Sequence, residues 1–264
     1  RLDVHPITLA GPGGRRLVRI PAPEDSAWAR VEVRASADDR DPVLMVDVEM
    51  SPLAMPELAF VQIADPASPR YGIDRDAQGR DTLYGTRVRN VDEELRAMRD
   101  GLAPGQVRRG LRMLPSVLEA MEAFCALLGK DLYLIEPLFY HSAILYERCG
   151  CGYLMGRELM EDMHGAFGVE GRLRDRLDRS SPFREPGAAA TVRGRSWALP
   201  VGLLGHAWGG GFSPRFVRFS GVVRGCRSSD SAARSCRFRG RSRPQRDRAR
   251  ARPPRPSPCT APSP

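Results

Sequence analysis

Two short stretches of this sequence place chemistry-bearing side chains close together. Residues 140 to 153, "YHSAILYERCGCGY", hold His141, Tyr146 and the pair Cys149-x-Cys151. Two thiols and an imidazole are ligand types that zinc accepts, but a zinc knuckle spaces its thiols by two to four residues and closes with a fourth ligand. Here a single residue separates the thiols, and Cys125 belongs to an apolar helical row. A redox pair needs two intervening residues and a thiolate at a helix N-terminus; these thiols instead follow a helical stretch. The second stretch, Glu158-x-x-Glu161-x-x-His164, contains one Glu-x-x-His motif, half of what a carboxylate-bridged di-iron bundle uses. His5, His141 and His206 have no Glu three residues before them, so the other half is missing. No metal is expected, and 158 to 164 reads as a solvated helix face.

The elements that must position these residues follow from periodicity. Residues 16 to 21, 29 to 36, 43 to 50 and 58 to 65 are β-branched or alternating, with Pro, Asp and Gly between them, and read as strands. Residues 70 to 86 read as a hairpin around Asp-Ala-Gln-Gly. Helix is expected over 90 to 101, capped by Asn90 or Asp92 and stopped at Gly101. A second helix is expected over 106 to 129, with Leu111, Leu114, Leu118, Met121, Cys125 and Leu128 on one face and Pro115 kinking it or starting it afresh. A buried strand follows at 131 to 137, then a helix over 139 to 150 ended by Gly150. Further helices are expected over 156 to 167 and 171 to 180, and a last strand over 190 to 199. This order implies the α/β (α+β) class: a mixed, mostly antiparallel sheet flanked by helices.

Residues 103 to 153 resemble the acyl-CoA-binding half of the GNAT superfamily of acetyltransferases (the acyl-CoA N-acyltransferase fold). "APGQVRRGLRML" stands for the family's Gly/Arg-rich loop and helix start, "DLYLIEP" for its buried strand, and "AILYERCGC" for the helix that closes on Tyr-Glu-x-x-Gly-Phe. The resemblance implies that residues Gln106, Val107, Arg108, Arg109, Gly110 and Leu111 receive the pyrophosphate of acetyl-CoA, where free N–H groups at a helix N-terminus suit an anion. It implies a neighbouring strand that splays away to accommodate the pantetheine arm, and Ser142 or His141 in place of the family's Asn, which is out of register here. Tyr146 takes the general-acid role toward the departing thiolate. Glu136 and His141 are candidates, by location, for the base that accepts the amine proton. The departures are specific. Val107 stands where the family has Gln or Arg, Arg112 replaces the second small residue, and Cys151 replaces the terminal aromatic. The expected activity is acyl-CoA-dependent N-acetylation of a small-molecule or protein amine; a non-catalytic protein of the same fold is the alternative.

Charge is distributed unevenly. The chain of 264 residues carries +9, but residues 221 to 264 hold twelve arginines against Asp230 and Asp247, a local charge of +10, so the rest totals −1. Lys130 is the only lysine. The expected division is a GNAT-like α/β domain over 1 to 210 and a disordered Arg/Pro/Ser-rich tail over 211 to 264. That tail is either an out-of-frame translation of GC-rich DNA or a basic arm, and nucleic acid is expected as a partner only in the second case. No apolar run is long enough for a membrane span, and the first residues lack a signal-peptide core. A cytoplasmic location and reduced thiols are therefore expected.

Overall fold

The computed structural model describes residue 5, residues 8–201 and residues 214–219. Contacts divide the chain into residues 1–224 and 225–264, and the second unit lies outside the described residues. So does the expected disorder of the tail beyond 219, along with the alternatives attached to it.

Among the described residues, seven strands form one sheet in the order β1-β2-β3-β4-β5-β7-β6. β1 (Val18–Arg19), β2 (Trp28–Val33), β3 (Leu44–Met50) and β4 (Pro56–Ile63) are an antiparallel meander. Alternation sorts its side chains. Leu44, Val46 and Val48 of β3 pair with Ile63, Val61 and Leu58 of β4 and face the main core. Asp47 and Glu49 take the opposite face, where Asp47 receives both Nε and Nη2 of Arg30, its partner across the ladder, at 2.6 and 2.7 Å. Among the described strands, β5 (Leu132–Ile135) is the one that pairs parallel, with β4. Its near-continuous burial is what an apolar run at the centre of a sheet requires. The sheet is thus mixed and mostly antiparallel, with helices packed against it. None of the described helices is long and apolar enough to cross a membrane.

α1 (Val91–Arg99) begins where expected: the Asn90 side chain accepts from Glu93 N–H, and Asp92, Glu93 and Glu94 fill the first turn. α2 covers only Leu114–Leu127. Residues 106 to 113 are loop, because Arg112 holds a left-handed φ of 57° and Pro115 is suited to a helix start rather than an interior. Leu118, Met121 and Cys125 are buried as the periodicity implies, whereas Leu111 and Leu128 are exposed. α3 (Tyr140–Arg148) buries Tyr140, Ala143 and Tyr146, and Gly150 ends it at φ 85°. β6 is Gly152–Met155 and α4 is Arg157–Ala166, with Glu158, Glu161 and His164 on its exposed side.

Three further expectations are corrected. Residues 171 to 180 are turns, not helix: the N–H groups of Leu173 and Arg174 both bond the carbonyl of Ala166, folding the chain back on α4. The segment expected as a last strand is α5 (Val192–Ala198), started by Thr191, whose hydroxyl accepts from Gly194 N–H at 2.9 Å. Finally, β7 (Arg215–Phe219) falls inside the segment assigned to the tail. It pairs antiparallel with both β5 and β6, so the sheet extends beyond residue 210. Its Arg-rich composition hid a strand in which Phe216 is fully buried while Arg215 and Arg218 pair with Glu136 and Glu122.

Candidate functional site

β4 and β5 share only two registered pairs, Glu57↔Leu134 and Leu58↔Ile135. β4 then continues through Ile63 beside β3, while the chain leaves β5 at Glu136 and Pro137. Proline has no N–H to extend the ladder. The strands therefore part, and one edge of β4 faces a cleft of about 830 Å³. A bulge at the same point sets Asp47 opposite Phe60 and Val48 opposite Leu58, leaving Ala59 as the extra residue. Phe60 and Gln62 belong to the face bearing Asp47 and Glu57, and Val61 and Ile63 to the core face, yet all four line the cleft. Gln62 Oε1 is buried there without a hydrogen-bond partner.

The floor is the loop of residues 104 to 113. Its backbone is tied to the segment that follows β4: Tyr71 N–H donates to the Val107 carbonyl at 2.9 Å, Asp65 N–H to that of Arg109 at 2.7 Å, and Arg109 N–H to Ser68 Oγ at 3.1 Å. Gln106 accepts from Ala103 N–H at 2.7 Å and lines the cleft. The Val107 side chain is buried in a second core cluster with Tyr71, Phe183 and Trp197. The Arg108 guanidinium bonds Asp41 at 2.9 Å and the Ser68 carbonyl. It anchors the loop rather than facing a ligand. Burial works against the Asp41 charge, but Arg108 and Arg70 outweigh it and hold its carboxyl below the usual range. Gly110 abuts the Ile63 carbonyl at the β4 edge, whereas Leu111 lies outside the cleft wall. Arg109, Arg112, Arg148 and Arg193 line the cleft without a carboxylate partner among the described residues. α2 begins at the same wall, with no side chain capping its N-terminus. Unpaired guanidinium groups and uncapped N–H groups make this end of the cleft suited to an anion.

The far wall is α3. Tyr146, only 8 % exposed, lines the cleft with its ring centroid 6.2 Å from that of Phe216. Burial, then the neighbouring Cys151 and Cys149, push the phenol well above its ordinary value, so it keeps its proton at neutral pH. Cys149 and Cys151 are free thiols, both raised chiefly by burial. Among the described residues, no three His, Cys, Asp or Glu side chains gather as a metal site. Glu136 lines the cleft at the end of β5 and pairs with Arg215 at 3.2 Å.

His141 and Ser142 sit at the start of α3, with Ser142 Oγ 3.4 Å from His141 Nε2. The imidazole stacks on Phe139 at 5.7 Å, and its Nδ1 lies 2.9 Å from Ser196 Oγ. Burial and then the charge of Arg193 lower its pKa to about 4, so the ring is neutral at pH 7. An unfolded histidine takes up its proton near 6.5. The unfolded chain therefore binds more protons than the folded one between these values. Stability present above pH 6.5 is lost as pH falls toward about 4. Thermal unfolding between pH 7 and 4 should show a loss on the order of 2 kcal/mol from this group, and His141→Gln should flatten that slope.

The structure thus gathers Gln106, Val107, Arg108, Arg109, Gly110, Glu136, His141, Ser142 and Tyr146 around one cleft, although the Val107 side chain is buried in the second core cluster and Arg108 is taken up by Asp41, and Leu111 lies outside it. Sequence reasoning missed Gln62, Arg148, Arg193 and Ser196. Only Arg148, two residues beyond Tyr146 on the same helix, carried a local signal; Arg193 and Ser196 arrive on α5, held in place by the Trp197 Nε1–H bond to the Leu102 carbonyl at 2.8 Å. Comparison with family models, with curated proteins and with solved structures gives no match to this chain.

Proposed function

We propose that the cleft binds an acyl-CoA and that the protein transfers the acyl group, acetyl in the simplest case, to an amine. The observation that carries this reading is the parting of β4 and β5. It frees a strand edge at Ala59–Ile63 for an extended, amide-containing arm, which can bond it as an added strand does. The arm's phosphates would lie toward Arg109, Arg112, Arg148 and the start of α2. The acceptor amine would enter from the opposite face, past Phe60 and Gln62.

In that arrangement the amine nitrogen attacks the thioester carbonyl carbon and gives its proton to His141 Nε2, or to Glu136. The tetrahedral adduct collapses with cleavage of the carbon–sulfur bond. The thiolate takes the Tyr146 proton, and exchange with solvent returns the proton from the base to the phenolate. Holding both reactants in one cleft removes the entropy cost of a bimolecular encounter.

A thermal-shift titration with acetyl-CoA tests the binding half. Ligand at 100 times Kd adds about 2.7 kcal/mol of stability, which should raise Tm by several degrees. No shift at millimolar acetyl-CoA would sink the reading. Thiol release from acetyl-CoA, measured with a panel of polyamines, amino acids and arylamines, then tests the transfer half.

A further inference from the structure

α5 sets a buried hydroxyl against His141, and that hydroxyl decides which ring nitrogen carries the hydrogen. Ser196 is 2 % exposed, and its Oγ lies 2.9 Å from His141 Nδ1 and 3.4 Å from the His141 backbone nitrogen. The backbone N–H can only donate, so it takes one lone pair of the hydroxyl oxygen. The hydroxyl hydrogen then needs an acceptor of its own, because a buried donor left unpaired is costly. Among the described residues, the acceptor shown for it is Nδ1. A neutral imidazole has one protonated nitrogen, so with Nδ1 accepting, the hydrogen is on Nε2. The reverse tautomer would set two N–H donors against Ser196 Oγ and leave the hydroxyl hydrogen without a partner.

Ser142 does not reverse this choice. Its Oγ lies 3.4 Å from Nε2, a long contact, and it is half-buried on the cleft wall, where solvent serves its own hydrogen. Ser196 has no such outlet. Nε2–H is therefore held weakly by Ser142, and an oxygen entering the cleft can take its place. Two further contacts restrict the ring. Its face stacks on Phe139. Phe139 is itself seated against Gly105, where a Cβ would come within 2.5 Å of its ring. Burial and the charge of Arg193, which lines the same wall, keep the imidazole neutral at pH 7.

We propose that Ser196 is a positioning residue that fixes His141 as the Nε2–H tautomer, and that His141 serves the cleft as a hydrogen-bond donor to a carbonyl oxygen rather than as a base. The donor role rests on the acyl-transfer reading; the tautomer itself does not. A partner that fixes one ring nitrogen fixes the role of the other. Of the two acceptors named for the amine proton, this leaves Glu136. As the amine nitrogen bonds the thioester carbon, the carbonyl oxygen gains negative charge and accepts from Nε2–H. Glu136 takes the amine proton, the carbon–sulfur bond breaks, and the thiolate takes the Tyr146 proton. A neutral donor already in place stabilises such an oxyanion without reorganising during the reaction.

Long-range proton–nitrogen spectra of the full-length, nitrogen-15-labelled chain test the tautomer directly. His141→Gln assigns its signals among the four histidines. The wild type at pH 7 should show Nε2 protonated and Nδ1 bare. Ser196→Ala should convert this to an exchanging mixture of tautomers, and Ser196→Thr should restore it. A wild-type His141 protonated on Nδ1, or a Ser196→Ala spectrum identical to the wild type, overturns the proposal. Should Ser196→Ala fail to fold, the wild-type and Ser196→Thr spectra decide. Thiol release tests the donor role. His141→Leu should lower it about 10²- to 10³-fold, the cost of removing one oxyanion donor, and His141→Gln, whose amide donates but takes up no proton, about tenfold less than that. Equal losses in the two variants overturn the donor role. A wild type that binds no acetyl-CoA yet shows the Nε2–H tautomer sinks the acyl-transfer reading and leaves the positioning by Ser196 standing.

Discussion

Tyr146→Phe should lower turnover with acetyl-CoA by about 10²- to 10³-fold, the range expected for losing a general acid, while leaving KM for acetyl-CoA within about twofold. The split between the two constants follows from where the hydroxyl acts. It would meet the sulfur only as the carbon–sulfur bond breaks, so its interaction exists in the transition state and not in the ground state. The substitution keeps the ring against Phe216 and removes one oxygen, so unfolding by urea should be nearly unchanged. The pH profile adds a second check. Burial raises the Tyr146 phenol above its ordinary value of 10.0, so loss of its proton should not limit kcat below pH 10. Unchanged turnover in the variant removes the acid role. Tight acetyl-CoA binding with no thiol release in the wild type would identify a non-catalytic protein of the same fold.

Phe216→Ala should cost about 3–5 kcal/mol, a large part of the 5–15 kcal/mol that a domain has in total. Phe216 is fully buried on β7, with the Tyr153 ring at 4.4 Å and the Tyr146 ring at 6.2 Å. Truncation to alanine removes contacts to both rings and leaves a cavity where β5, β6 and α3 meet. Deleting everything after residue 210 should be worse, since β7 is the strand that joins β5 to β6. Without it both strands present open edges, and the truncated chain should lose its cooperative transition and aggregate. Urea unfolding of Phe216→Ala and solubility of the truncated chain measure the two effects. A loss under about 1 kcal/mol together with a soluble, folded truncation would show that β7 does not hold the sheet as described.

Much of this architecture was legible in local pattern. The meander β1–β4, α1 with its Asn90 cap, β5, and α3 with its Gly150 stop all follow from periods of 2.0 and 3.6 and from caps that act within one turn. Tyr146, Glu136, His141 and Ser142 were placed near one another because they lie within eleven residues across a strand end and the helix that follows. The errors share a cause. Residues 190 to 199 look extended by their β-branched start, but a threonine cap and the burial of Ser196, Trp197 and Ala198 make them a helix. β7 looks like tail because arginine dominates its surroundings, and only pairing with strands more than sixty residues earlier in the chain reveals its alternation.

The sequence by itself determined the class of the sheet, the order of its elements through α3 and the residue types available at the end of β5 and on α3. Those depend on interactions between neighbours in the chain. Tertiary structure alone decided that β5 leaves β4 after two pairs, that Arg108 is taken up by Asp41, and that α5 delivers Ser196 to His141. Each joins residues 55 to 77 positions apart, where closure of long loops and shared burial set the outcome and no local period records it.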